Sequence, residues 1–408
     1  MNDIEEAITR AHHDEWARVV ASLTRRFGDL DIAEEATAEA FATAVERWPG
    51  DGIPPNPGAW LTTTANRKAI DRLRRENKRD DKHKEARIVY DDTPPEPLGA
   101  IDDDRLRLIF TCCHPALAME ARLALTLRMV GGLTVPEIAR AFLATESAVG
   151  QRITRAKAKI SAARIPYRMP SAEDLPARVT GVLSVLFLVF NEGYLATGSD
   201  TEPVRQDLTA EAIRLTRLIR ALLPEDGEVA GLLALMLLIE ARRTARVSAG
   251  GELVALDEQD RGAWDKALIA EGHQLVRERL AAGVAPGRYQ ILAAINAVHT
   301  SARDVRDTDW SQVLALYDQL VPLDASPVVA LNRAIALAEL DGPEVALAAV
   351  DRLEDKLAGY HAYHATRADL LRRLGRSQQS RAAYDKAIEL AGNTAETAYL
   401  SRRRDQLG

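Results

Sequence analysis

Apolar residues recur at helical spacing in almost every window of this chain, and the alternating β-branched runs that mark half-buried strands are nearly absent. Alanine, leucine and arginine dominate. A pattern of this kind folds as helices packed on helices, so the expected class is all-α. At 408 residues the chain exceeds one typical core and predicts several domains. Its net charge is −7, from 53 Lys and Arg against 60 Asp and Glu, so a contact with nucleic acid has to come from local basic patches on an acidic body.

The most specific of those patches runs from Gly132 to Ile160, GLTVPEIARAFLATESAVGQRITRAKAKI. Thr134 suits an N-cap, Pro136 the first turn, and Glu137 the third position of a capping box. A break at Ala144–Glu146 separates this helix from a second, whose inner face carries Val149, Ile153, Ala156 and Ile160. The outer face shows Ser147, Gln151, Arg152, Thr154, Arg155, Lys157 and Lys159. Cations for phosphates and guanines, with amides and hydroxyls for base edges, are what a DNA recognition helix requires. From Ser147 to Ala172 no acidic residue interrupts the stretch. The bland alternative is an amphipathic hairpin with a solvated basic face.

Upstream, Ile4–Phe27 reads as an amphipathic helix, and Asp29–Trp48 as a second one with an acidic outer face of Asp31, Glu34, Glu35 and Glu39. Acids early in a helix also favour its positive end, so that face has a purely structural explanation as well. A Pro/Gly loop is expected over Pro49–Gly58, followed by a helix over Ala59–Arg79. Between Asn66 and Arg87 ten cations stand against five acids. Such a helix, with Trp60 at its junction with the loop, could follow a phosphate backbone and stack an unpaired base.

The order of these parts resembles an extracytoplasmic-function (ECF) RNA polymerase sigma factor over roughly the first 165 residues. The resemblance rests on AEEATAEAFATAVERWP, NPGAWLTTTANRKAIDRLRR and the Gly132–Ile160 stretch, in that order. It implies that Asp31, Glu34, Glu35 and Glu39 dock on the RNA polymerase core enzyme. It also implies that the loop and the helix after it take a flipped base of the −10 element, through Asn56, Trp60, Asn66, Arg67, Asp71, Arg74 and Arg75. The face from Ser147 to Lys159 would then read the −35 element. The loop is longer and richer in proline than in many relatives, which bears on its base preference.

The expected organisation is region 2 over 1–80, a linker over 81–101 and region 4 over 102–168. A helical middle domain over 169–290 and tetratricopeptide-like repeats over 291–408 follow. The linker, with Pro94, Pro95 and Pro97, reads as an extended tether. Helices are expected over Leu175–Phe190, Leu208–Leu223, Glu228–Arg246 and Arg261–Ala281, with Asn191–Tyr194 as a capped turn. Residues 326–359 and 360–393 repeat at a 34-residue offset: Ala334 matches Ala368, Leu340 matches Leu374, and Asp351 matches Asp385. That period is the tetratricopeptide signature, and such repeats commonly take a peptide or protein partner on their concave face. The alternative is a scaffold that only covers the middle domain. FTCCHPAL, LVFNEGY and WDKALIAEG resemble the ECF subgroup with a tetratricopeptide extension, in which the extension is taken to replace a separate anti-sigma factor.

Cys112 and Cys113 are adjacent and form no disulfide framework, which fits a reducing cytoplasm. With His114 they lack the spaced ligand pairs of a zinc module, so no metal or cofactor is expected, and the cysteines read as small buried hydrophobes. The run Val179–Phe190 is short of the ~20 residues a membrane span needs and reads as a buried helix, with no membrane partner. No catalytic triad, zinc-protease or phosphate-loop motif is present, so an enzyme is not expected. The second functional reading is a DNA-binding regulator that senses a peptide through its repeats without joining polymerase.

Overall fold

A computed structural model describes residues 3–80, 104–142, 144–194, 205–248 and 252–407. The expected linker over 81–101 lies outside the described residues. Among those that are described, all regular structure is helical, apart from one isolated antiparallel bridge between Val247 and Leu253. The chain divides into two compact units, Met1–Val185 and Leu186–Gly408, and the division falls within a helix.

The first unit contains α1 (Asp3–Phe27), α2 (Leu30–Asp51), α3 (Pro57–Asp80), α4 (Asp104–Cys112), α5 (Met119–Met129), α6 (Val135–Ala141), α7 (Glu146–Ala162) and the start of α8 (Leu175–Tyr194). Trp16, Val19, Val20 and Leu23 of α1 are buried, as their spacing predicts, and so are Ala36, Ala40, Phe41, Ala44 and Trp48 of α2. Asp29 caps α2 by accepting the N–H groups of Asp31 and Ile32 at 2.7 and 3.0 Å.

The segment expected as a loop from Pro49 to Gly58 is helical at both ends. α2 runs through Pro49 to Asp51, and α3 begins at Pro57. Proline in a last turn loses one backbone bond, and the Gly52 N–H donating to Trp48 O at 3.0 Å closes the turn beyond it. At the other end the Asn56 side chain accepts the Ala59 N–H at 3.0 Å, which caps α3 and lets Pro57 sit where no donor is needed. Only Gly52–Asn56 remains as the connection.

In α6, the Thr134 N–H donates to Glu137 Oε2 at 2.7 Å while the Glu137 N–H donates to Thr134 Oγ1 at 3.4 Å, the reciprocal capping box read from sequence. Thr145 caps α7 by accepting the Ala148 N–H at 3.2 Å. Cys112 and Cys113 are both buried at the end of α4.

The second unit contains the rest of α8, then α9 (Gln206–Leu222), α10 (Gly227–Glu240), α11 (Arg243–Arg246), α12 (Lys266–Ala281), α13 (Arg288–Ser301), α14 (Trp310–Leu320), α15 (Pro327–Leu340), α16 (Pro343–Asp351), α17 (Glu354–Leu357), α18 (His361–Arg373), α19 (Ser377–Leu390) and α20 (Thr394–Asp405). Asn191–Tyr194, expected as a capped turn, forms the last turn of α8 instead. Gly193 is needed there because a Cβ would meet Thr209 N at 2.7 Å and Arg205 O at 2.8 Å. Helix α8 is thereby long and apolar enough to cross a membrane by length and composition, with a mean hydropathy of 1.4. Val179, Val182, Leu183, Val185, Leu186, Val189 and Phe190 are buried on one face of it, while Leu188 is exposed. The helix expected over Glu228–Arg246 is broken at Ala241–Arg242, and the one expected from Arg261 starts at Lys266, capped by Asp265.

The helix starts in the C-terminal part keep the 34-residue offset, since α15 and α18 begin at Pro327 and His361, and α16 and α19 at Pro343 and Ser377. Ion pairs join neighbouring helices along this stack: Arg333–Asp318 (α15 to α14) at 2.6 Å, Arg367–Asp351 (α18 to α16) at 2.8 Å and Arg404–Asp385 (α20 to α19) at 3.0 Å. Leu331, Ala334, Leu347, Tyr363, Ala368 and Tyr384 form part of its shared core.

Candidate promoter and polymerase contact surfaces

Five of the seven residues expected at the −10 element gather where α1 faces α3. A cleft of 960 Å³ is lined by Asn56, Asn66, Arg67, Asp71 and Arg74 of that set, together with Thr62 and Thr63. From α1 it takes Glu15, Arg18 and Arg26, which reasoning from sequence did not single out. Their spacing along α1 places them on one helical face, but nothing local in the sequence says that this face meets α3. Arg26 Nη1 donates to Asn66 Oδ1 at 3.5 Å, and Arg18 stands 3.4 Å from Glu15. Four arginines against two carboxylates make the cleft electropositive, suited to a polyanionic strand.

Trp60 and Arg75 do not line this cleft. Trp60 packs edge-to-face on buried Trp48 with ring centroids 5.6 Å apart, and Arg75 Nε turns back to Asp71 O at 3.2 Å.

On α7 the outer face divides. Ser147, Gln151, Thr154, Arg155 and Lys159 are exposed and Arg152 is half-buried. Arg155 Nη2 donates to Gln151 Oε1 at 3.3 Å, an i,i+4 contact that pre-orders two side chains aimed outward. Lys159 Nζ reaches Ala116 O. Lys157 departs from the expectation. It is 9% exposed and lies against α2, where its Nζ donates to Asp31 Oδ1 at 2.7 Å and to Glu34 Oε2. A helix turns about 100° per residue, so position 157 sits at the margin of both faces, and the neighbouring helix decides which it joins.

The acidic face of α2 is divided in the same way. Glu34, also 9% exposed, is held by Lys157 and by Arg128 Nε of α5 at 2.5 Å. Glu35 and Glu39 are exposed and meet α3, with Arg72 on Glu35 and Lys68 on Glu39 at 3.6 Å. The expected outer face of α2 is therefore bordered by cations of three other helices, α3, α5 and α7, and Glu34 is part of the interior.

The α1–α2 side and the α4–α7 side share further contacts. Trp16 Nε1 donates to Arg128 O at 3.2 Å. Gly132, at φ +75°, lies so close to α1 that a Cβ would meet His12 Cε1 at 2.8 Å and Trp16 Cγ at 3.0 Å. The Tyr167 hydroxyl lies 3.0 Å from Ala21 O and 2.9 Å from Asp104 O, and burial together with Asp104 raises its pKa.

The cysteines have no exposed thiol. Burial pushes Cys113 up to about 11, with Thr126 Oγ1 at 3.3 Å acting in the other direction. Burial and the adjacent Cys113 raise Cys112. Among the described residues no group of three His, Cys, Asp or Glu side chains could hold a metal ion.

The helix-turn-helix with its two capped helices and the electropositive cleft between α1 and α3 fall in segments that match two sigma-factor family models. Sigma-70 region 2 matches residues 10–79, and Sigma-70 region 4 matches residues 107–160. A family of unknown function, DUF6596, matches residues 178–280. An uncharacterized protein of Rhizobium meliloti is 43% identical over 96% of this chain and 93% of its own length. The ECF RNA polymerase sigma factor SigK of Mycobacterium tuberculosis is 30% identical over 37% of this chain and 88% of its own length. SigK of Mycobacterium ulcerans is 26% identical over 38% of this chain and 87% of its own length. No solved structure matches. The chain belongs to the ECF RNA polymerase sigma factor family, and it carries a C-terminal extension that SigK does not match.

Proposed function

We propose that this protein directs RNA polymerase to a specific set of promoters and opens their −10 element, with residues 1–80 and 102–168 as its two working modules. The observation that carries this reading is the cleft between α1 and α3, where five of the seven residues inferred for −10 capture come together with arginines of α1. A base leaving the duplex costs a few kcal/mol of unstacking, and an electropositive cleft with amide donors offsets that cost through backbone and base-edge contacts. The exposed part of α7 reads the −35 element, with Arg152 and Arg155 on phosphates or guanines and Gln151 and Thr154 on base edges. Asp31, Glu34, Glu35 and Glu39 of α2 supply the contact with core enzyme. The protein performs no covalent chemistry; binding energy alone drives promoter opening.

The extension divides into a middle domain over 169–290 and tetratricopeptide-like repeats over 291–408. It regulates the sigma modules in cis and takes a protein or peptide partner. Its fusion to modules that align with 88% of the length of SigK supports this role, because SigK does without such an extension over its matched length.

In vitro transcription with purified core enzyme tests the reading. The full chain should make core initiate on promoters mapped from cells expressing it. Failure to support initiation on any mapped promoter, with DNA binding intact, would instead favour a regulator that does not join polymerase. Comparing a chain that ends at Pro170 with the full chain tests the extension. Equal promoter output under every condition examined would remove the regulatory role.

A further inference from the structure

We infer that the second unit holds a binding site for a small apolar monocarboxylate, with one carboxylate on a body of about six to eight carbons. The site is a cavity of 180 Å³ where α10, α12, α13 and α14 meet. Gly231 and Ala234 of α10 and Ala294 of α13 line it, and their small size keeps the space between the helices open. Leu275, Ile291 and Leu316 supply apolar walls. An apolar cavity of about 150 Å³ accepts benzene, so this one has room for a phenyl ring or a short alkyl chain. Leu280 and Val284 also line it and are 71% and 63% exposed, so an apolar ligand would cover side chains that water now surrounds.

The charge around the cavity sets the rest of the ligand. Among the described residues that line it, Arg279 alone is charged and no carboxylate stands with it. Arg279 Nε is buried without a hydrogen-bond partner, and its Nη1 reaches Glu225 O at 3.5 Å. Glu278, the acid next to it in the chain, is turned to Arg220 at 3.7 Å. The Gln290 side chain lies beside the guanidinium, since a Cβ on Gly227 would stand 2.9 Å from both Arg279 Nη2 and Gln290 Oε1. Gln290 Oε1 already accepts the Gly287 N–H at 3.0 Å, which leaves the amide nitrogen as a donor. A guanidinium and an amide N–H at one end of an apolar cavity match a carboxylate with an apolar tail, and charge-assisted bonds would satisfy the buried donor. A neutral ligand of the same shape leaves Arg279 uncompensated. The site belongs to the extension alone and does not depend on the sigma reading.

The test is calorimetric titration and thermal unfolding of the full chain with phenylacetate and hexanoate. Benzyl alcohol serves as the neutral control and acetate as the control without an apolar body. Phenylacetate and hexanoate should bind in the millimolar range or tighter and raise the unfolding temperature of the second unit. Benzyl alcohol should bind roughly tenfold more weakly, and acetate should not bind. Ala234→Leu, which fills the cavity, should abolish binding of both carboxylates. Arg279→Gln should bring phenylacetate down to the affinity of benzyl alcohol while leaving that of the alcohol unchanged, and it keeps the test decisive if Ala234→Leu does not fold. Absence of binding by both carboxylates would overturn the proposal. Equal effects of phenylacetate and acetate would reduce the site to an adventitious anion contact and overturn it as well. Equal affinity for phenylacetate and benzyl alcohol in the wild-type chain would remove carboxylate recognition, and binding that persists in both variants would place the ligand elsewhere; either result overturns it.

Discussion

Lys157 of α7 and Glu34 of α2 are buried counter-ions although 123 residues separate them in the chain. Each is a side chain that would be solvated if its own helix stood alone. Bringing the pair out of water is costly, and Arg128 and Asp31 complete the cluster so that neither charge is left uncompensated.

Glu34→Gln should destabilise the first unit. Removing one member of a fully buried pair costs about 3–5 kcal/mol. Here Asp31 still faces Lys157 and is itself well exposed, so a loss of about 2 kcal/mol is expected. Urea unfolding of the full chain, followed by tryptophan fluorescence, should show an earlier first transition. A midpoint equal to that of wild type would mean the cluster contributes nothing net.

Arg152→Ala and Arg155→Ala should each weaken −35 binding by about 1–3 kcal/mol in holoenzyme if they touch bases or phosphates. Fluorescence anisotropy with a promoter fragment provides the measurement. Each loss should shrink the salt dependence as well, because fewer counterions are released. Unchanged affinity and salt slope in the double variant would remove this face of α7 from DNA recognition.

Both cysteines should resist alkylation at neutral pH in the folded protein, since burial holds Cys113 at about 11 and Cys112 well above the ordinary thiol range. Adding denaturant should expose two reactive thiols. Labelling of either residue at the rate of a free thiol in the native state would show that α4 opens readily.

The second unit should lose stability in mild acid. Burial, together with Arg242 and Arg261, lowers His299 from 6.5 to about 4, and burial with Arg277 lowers His273. A depressed histidine pKa means that the unfolded chain takes up the proton first. The stabilising contribution is therefore complete above about 6.5 and is lost as pH falls toward 4. Between neutral pH and pH 5, His299 should account for about 1–2 kcal/mol. His299→Gln should flatten the unfolding midpoint against pH in that range. A profile identical to wild type would contradict the assignment.

Gly231→Ala should destabilise the second unit by about 1–3 kcal/mol, the usual cost of overpacking. A Cβ there would meet Gln290 N at 2.5 Å and Tyr289 C at 2.8 Å, both backbone atoms that cannot swing aside. A melting temperature equal to wild type would show that α10 and α13 can separate without penalty.

Much of the local structure was legible from residue types. The Thr134–Glu137 capping box, the Asp29 start of α2 and the 34-residue register of the C-terminal helices follow from spacing alone. Errors fell where proline or glycine was read as a stop. Pro49 sits in a last turn, which tolerates it, and Gly193 lies within α8 because Arg205 and Thr209 pass too close for any side chain. Of the inferred −10 set, Asn56, Asn66, Arg67, Asp71 and Arg74 share one cleft while Trp60 and Arg75 lie off it, and Glu15, Arg18 and Arg26 become part of that cleft only once α3 lies opposite them.

The sequence by itself determined the all-α class and the helix-turn-helix with its caps, because these depend on periodicities and residue types within short stretches, while the sigma family came from resemblance to known proteins. Tertiary structure alone decided which charges remain available. Lys157 and Glu34 are amphipathic-helix charges by local pattern, and the same pattern is compatible with solvent, DNA or polymerase. Their burial against each other depends on two distant helices meeting, and local spacing carries no information about that encounter.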